Sequence, residues 1–355
     1  MTVHDPILAA ASRTRSAIPD DGALLRAAAD LTRALSAANP AIYWPDMLGS
    51  AIVGWMALAV ALIATSVLVA LASALVAMLA LYRAASFIHE LTHIRKGALR
   101  GFRFAWNLLV GVPLMIPSFM YEGVHTQHHA RTRYGTAEDP EYLPLALMKP
   151  WSLPLFIVVA SLAPIGLILR FGVLTPLSVI APPLRRVVRE QLSALSINPA
   201  YRRRAPEGDF ARMWFWQEAG ACLVALTLVA SVFAFGWKPL LVYMAVHSAM
   251  TVTNQLRTLV AHLWENEGEA MSVTAQYLDS VNVPPPGSLP ELWAPVGLRY
   301  HALHHLLPSV PYHNLGAAHA QLIATLDAVS PYHHGNYTGM LPLVGKIARS
   351  TMVRR

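Results

Sequence analysis

Residues 47–82 read MLGSAIVGWMALAVALIATSVLVALASALVAMLALY, 36 positions between Asp46 and Arg83 without a single charge. About 20 apolar residues suffice to cross a bilayer, so a run of this length reads as membrane-embedded. As one helix it would measure about 54 Å against a hydrocarbon core of about 30 Å. Two crossings joined by a tight turn near Ala64-Thr65-Ser66 fit better, and the second is expected to continue to about Ile94. It would carry the segment HELTH (89–93) out of the membrane on its last turns.

The composition agrees. The 355 residues are 55% hydrophobic and only 13% charged, about half the charge of an ordinary soluble domain. The net charge of +7 does not point to nucleic acid, because the arginines fall in short runs beside apolar spans. Examples are Arg95 to Arg103, Arg131/Arg133, Arg185/Arg186/Arg189, Arg202 to Arg204 and Arg354/Arg355. That is the pattern of cytoplasmic loops under the positive-inside rule. Arginine outnumbers lysine 23 to 4, which suggests a GC-rich bacterial genome and hence a bacterial inner membrane. The single cysteine, Cys222, excludes intrachain disulfides and a cysteine-ligated iron–sulfur cluster carried by this chain alone.

Three parts are expected. Residues 1–45 form a cytosolic N-terminal segment without a signal peptide, in which Asp20/Asp21 cap an amphipathic helix (Leu24, Leu25, Ala28, Leu31, Leu35) lying at the membrane surface. Residues 46–325 form the membrane domain, and 326–355 a cytosolic tail. Within the membrane domain, 104–119 is apolar but broken by Pro113 and Pro117, so it reads as interfacial or re-entrant. Residues 151–182 carry Pro154, Pro164, Arg170 and Pro176, and the preferred reading is a half-membrane hairpin turning at Pro164-Ile165-Gly166. Two further spans, 219–237 and 239–258, meet at Trp237-Lys238-Pro239. The expected fold is therefore an all-α integral membrane protein. It has about four transmembrane helices in two hairpins, re-entrant segments, and a helical cytosolic cap.

Of 15 histidines, most fall in a pattern. After His89-x-x-x-His93 come HTQHH (His125, His128, His129) and HALHH (His301, His304, His305), both H-x-x-H-H. On a helix, i and i+4 share a face, so His89 and His93 aim at one region. In H-x-x-H-H the first and last residues share a face while the middle one points about 100° away, so such a segment can serve two metals. Eight imidazoles exceed the four ligands of one zinc but suffice for two metals with open positions for oxygen. Imidazole alone leaves the metal open among iron, zinc and copper. In NQLRTLVAHLWEN, Asn254, Thr258 and His262 fall at i, i+4 and i+8, making His262 a further candidate ligand and the other two candidates for a water-mediated contact.

As a set, these motifs resemble the membrane-bound fatty acid desaturases and their hydroxylase relatives over about residues 45–325. HHLLPSVPYHNL after the third box and the Glu138-Asp139-Pro140 segment after the second are also similar to that family. The resemblance implies a non-haem di-iron centre held by His89, His93, His125, His128, His129, His262, His301, His304 and His305. It implies a reaction in which O2 and two electrons oxidise a lipid acyl chain. Desaturation is the preferred outcome and hydroxylation the alternative; no residue decides between them, nor fixes chain length, position or headgroup. Electrons would come from a separate ferredoxin, rubredoxin or cytochrome b5-type carrier. Glu90 and Asp139 are candidates to hold ligand rings in place. Departures at the second box and after His262 argue against the alkane hydroxylases, and His301 in place of Gln argues against front-end desaturases.

Two other classes compete. HELTH matches the zinc-protease signature, but the metzincin extension would need Gly and His where Lys96 and Leu99 stand, and the H-x-x-H-H boxes would go unexplained. A metal transporter would place its ligands at mid-membrane rather than at membrane ends. His247, about 22 Å of helix from His262, is too far to share the site and reads as a neutral group or part of an acyl tunnel. His313 reads as structural, and His4, His319, His333 and His334 as uninvolved.

Overall fold

The computed structural model describes residues 18–95 and 97–353; His4, Lys96 and the Arg354/Arg355 pair lie outside it. Among the described residues it is all-helical, with isolated β-bridges but no strand.

The uncharged run forms the expected hairpin. Helix α1 (Gly22–Leu35) precedes α2 (Pro40–Ile63), and α3 (Val67–His93) returns after a turn at Ala64–Ser66. Asn39 caps α2 by accepting from the Ala41 amide, and Ser66 caps α3 through Val69. The two charges that bracket the run meet across the hairpin: Arg83 donates to the two Asp46 carboxylate oxygens at 2.7 and 2.6 Å. Gly54 lets the helices touch, since a Cβ there would lie 2.6 Å from Leu81 Cγ. Ile63, Leu68 and Phe233 are 78, 78 and 91% exposed, an apolar exterior that suits lipid rather than water.

A short helix α4 (Phe102–Trp106) opens the broken segment ahead of the second box, and α5 (His125–His128) carries that box itself. Then α6 (Ser152–Ser161) and α7 (Ala163–Leu169) meet at a bend of 55° with the helical stretch that runs on to Ser178. The hairpin expected at Pro164–Gly166 is thus a bend at Leu162 instead. Pro164 has no N–H to continue the ladder, which frees carbonyls without reversing the chain. Helix α8 (Gly208–Phe235) and α9 (Lys238–Leu259) form the second hairpin through Gly236–Trp237. Hydroxyls of α9 satisfy the freed carbonyls: Ser248 donates to Ser161 O and Thr251 to Ala160 O, both at 2.7 Å. By length and composition α2, α3 and α8 can each cross a membrane, and the bent pair makes a fourth if counted as one span. Helix α9, expected from its sequence to be a span, is not among them, because His247 and the polar run Thr251–Thr258 lower its hydropathy.

Above the bundle lies a cap built from α10 (Val273–Asp279), α11 (His301–Leu306) and α12 (Tyr312–Thr325). Asp21 caps α1 by accepting from Ala23 and Leu24, as its sequence suggests. Its apolar stripe, however, does not lie on the membrane surface. Leu24, Ala28 and Leu31 are buried against Leu303, Leu307 and Leu322 of the cap, which leaves no apolar face for lipid. Farther along, α13 (Met340–Ala348) buries Leu343 among Val260, Leu263, Val281 and Val283, and Ile347 in a separate cluster with Tyr134, Tyr142 and Leu145.

Candidate metal centre

The nine predicted histidines come together where α3, α5, α11 and the turn after α9 converge. They divide into two groups: His89, His93, His125, His129 and His304, and His128, His262, His301 and His305. Within each group the candidate ligand nitrogens lie within 4.8 Å of one another. Both H-x-x-H-H boxes split as helical geometry dictates. His125 and His129 face one group and His128 the other; His301 and His305 face one and His304 the other.

Nitrogens of adjacent rings approach closely: His125 and His129 Nε2 at 3.0 Å, His93 and His304 Nε2 at 3.1 Å, His262 and His301 Nε2 at 2.9 Å. The opposite ring edges explain what these nitrogens carry. The Nδ1–H of His128 donates to Asp139 at 2.9 Å and that of His125 to Glu141 at 2.8 Å. His262 Nδ1–H donates to the Tyr134 hydroxyl at 2.8 Å, which itself donates to Asp279 at 2.9 Å. Each of these rings therefore turns an Nε2 lone pair inward. Lone pairs about 3 Å apart repel unless a cation lies between them, and two ligands about 2.1 Å from one metal at a right angle stand that far apart. His89 is 6% exposed and neither ring nitrogen has a hydrogen-bond partner. The donor set thus fits two metal ions, and neutral imidazole is the form that binds them.

Burial keeps these rings neutral, His128 excepted. Burial, reinforced by neighbouring histidines, drives the pKa of His125, His129, His262, His301, His304 and His305 well below that of free imidazole. For His128 burial also opposes the charge, but the Asp139 carboxylate outweighs it and raises the pKa. Burial pushes the Glu141 carboxyl up to about 7, and it is shared with the Tyr121 hydroxyl at 2.7 Å.

Of the supporting residues expected from sequence, Asp139 lies against His128. Glu90 holds Oε1 3.7 Å from His89 Nδ1, while its Oε2 accepts from the Tyr43 hydroxyl and from the Tyr312 amide at 3.2 Å. Neither Asn254 nor Thr258 hydrogen-bonds a histidine ring; Asn254 Oδ1 accepts from Arg257 at 3.0 Å. Helix α9 stops at Leu259, whose carbonyl accepts from the Trp264 indole at 2.7 Å, and His262 sits beyond it in a bridge with Ser280. The three residues therefore do not share a helix face; Asn254 and Thr258 line a cavity that also reaches His89, Tyr121 and Glu141. His247 lines the same cavity. His313 accepts the Asn39 amide at 3.2 Å, and His319 pairs with Tyr332, both away from the centre.

Glu141, Tyr121, Tyr134 and Asp279 were not foreseen. Glu141 stands two residues past Asp139 and Tyr121 one helical turn before His125, so both carried a local signal. Asp279 lies 145 residues from Tyr134 and no local pattern links them.

The family profile described as fatty acid desaturase matches residues 64–336. The chain is 49% identical over 332 residues to a ceramide hydroxylase of Caulobacter vibrioides (strain NA1000 / CB15N), covering 93% of this chain and 94% of that protein. No solved structure matches. With its two histidine groups at the end of an apolar helical bundle, the chain belongs to the fatty acid desaturase family, the oxygen-dependent, non-haem di-iron oxidoreductases of lipids.

Proposed function

We propose that this protein hydroxylates a ceramide or a closely related N-acyl lipid. The observation that carries the reading is the 49% identity, over nearly the full length of both chains, with a ceramide hydroxylase. It reverses the preference for desaturation drawn from the histidine boxes, which the two chemistries share. In this reading His89, His93, His125, His129 and His304 hold one iron, and His128, His262, His301 and His305 the other. The bound irons supply the O2-dependent oxidation of an unactivated C–H bond. One oxygen atom enters the new C–OH group and the other leaves as water, with two electrons from a separate carrier and two protons.

The chain's own residues bind, orient and shield. Asp139, Glu141 and Tyr134 hold His128, His125 and His262 with Nε2 facing inward. The cavity of about 330 Å³ reaching His89 is closed in part by Ile88, Ile116, Leu195, Met250 and Leu298, which exclude water beside a reactive centre. A lipid enters from the bilayer with its polar end toward the cap. The site faces the cytoplasm of a bacterial inner membrane, where a ferredoxin, rubredoxin or cytochrome b5-type donor reaches it.

The test is expression in a host supplied with ceramide, followed by lipid mass spectrometry. A gain of one oxygen atom that disappears in His301→Ala supports the reading. A loss of two hydrogens makes the protein a desaturase. An unchanged lipid profile, with about two irons bound, rejects ceramide as substrate.

A further inference from the structure

The cavity beside His89 is apolar over most of its wall but polar along α9. Asn254, Gln255, Arg257 and Thr258 line it in the last turns of that helix. His247 lies seven residues below Asn254, about 10 Å deeper. Ser248 and Thr251 on the same helix are consumed in sealing backbone carbonyls. Thr251 lines the cavity as well, but the side chains of Asn254, Gln255 and Thr258 make no such bond to the backbone. His247 is 1% exposed with Nδ1 unpartnered, and Arg257 Nε is buried without a partner. Asn254 spends its carbonyl on Arg257 at 3.0 Å, which leaves its amide N–H groups free.

Such a wall is costly for a site that holds only hydrocarbon. An unpaired polar group facing a methylene chain loses its hydrogen bonds to water and gains none. A lipid amide with a neighbouring hydroxyl restores the balance. Carboxamides, a threonine hydroxyl and a guanidinium offer donors for its carbonyl and acceptors for its N–H and O–H. Because His89 lies in the wall of the same cavity, whatever these groups hold is presented beside the first histidine group.

We infer that Asn254, Gln255 and Thr258 form a subsite for the amide and adjacent hydroxyl of an N-acyl lipid, and that this places carbons within a few bonds of the amide at the histidines. The inference deepens the hydroxylase reading and rests on it for the identity of the reaction. Binding, however, is measurable without turnover. A mid-chain oxidase would instead keep its headgroup contacts far from the metals and line this stretch with hydrocarbon.

The test uses the full-length protein in detergent, with native mass spectrometry of a competition between a ceramide and its ester analogue, which lacks the amide N–H. Wild type is expected to prefer the amide by about tenfold, the worth of one buried hydrogen bond. Gln255→Leu and Thr258→Val, which remove the acceptors open to the amide N–H, are expected to abolish the preference while retaining ester binding, which also shows that the variants fold. Asn254→Leu, which removes a donor to the carbonyl, is expected to weaken amide and ester alike. An amide preference unchanged in both Gln255→Leu and Thr258→Val, or absent from wild type, overturns the subsite. If the preference behaves as expected but cells form no hydroxylated lipid, the hydroxylase reading fails and the subsite stands. Where product forms, its hydroxyl is expected within a few carbons of the amide; a mid-chain hydroxyl overturns the positioning role.

Discussion

Asp139 grips the ring of His128 with both carboxylate oxygens, 3.0 and 2.9 Å from Nδ1, while accepting the amides of Gly135 and Glu141 at 2.8 Å each. The carboxylate is thereby fixed by backbone before it fixes the imidazole. Groups of this kind typically carry about 10- to 100-fold in metal affinity. Asp139→Ala is expected to weaken one of two irons by that factor, seen as a fall from about two to about one per chain after dialysis. Two irons retained at wild-type affinity would refute the orienting role.

The division of the histidines into two groups makes a sharper expectation. His262→Ala removes a ligand from the four-histidine group and leaves all five of the other. One iron per chain is expected to remain, with hydroxylation abolished. His93→Ala is expected to spare the opposite iron. Complete loss of metal in either variant would mean that the two groups do not bind independently.

Tyr134 joins His262 to the buried Asp279, which also accepts from Tyr142 at 2.9 Å. Tyr134→Phe deletes the hydroxyl and leaves the His262 Nδ1–H with only Ser280 Oγ at 3.2 Å. The expected cost is about 1–3 kcal/mol of stability. It is read as a lowered thermal midpoint in detergent, together with weaker iron retention at the same group.

Gly54→Ala tests the hairpin. In an exposed helix the change would stabilise by about 0.5–1 kcal/mol. Here the new Cβ meets Leu81 Cγ at 2.6 Å and the Leu81 backbone nitrogen at 3.0 Å, so overpacking of about 1–3 kcal/mol prevails. A raised thermal midpoint would show that α2 and α3 have room to separate.

Ser248→Ala with Thr251→Val unseals the Ala160 and Ser161 carbonyls at the bend between α6 and α7. About 1 kcal/mol per lost bond is expected. Because Ala160 also lines the cavity, lipid binding is expected to weaken alongside the thermal midpoint.

What local pattern could specify was legible in the residues. An uncharged run of 36 positions has one economical solution in a bilayer, and its turn at Ala64–Ser66 and its end near Ile94 follow from helix rise and core thickness. The assignment of each box histidine to one of two groups follows from the 100° step of a helix. Where backbone periodicity ended, so did the reading. Nothing local says that α9 unwinds at Leu259, so Asn254 and Thr258 were placed with His262 rather than in the cavity. Nor does an amphipathic stripe say whether it meets lipid or protein; for α1, burial of Leu24 among cap leucines decided that. The partnerships that set ring orientation, Tyr134 with Asp279 above all, join residues far apart in the chain. Only the closing of the cap over the bundle brings them within hydrogen-bond reach.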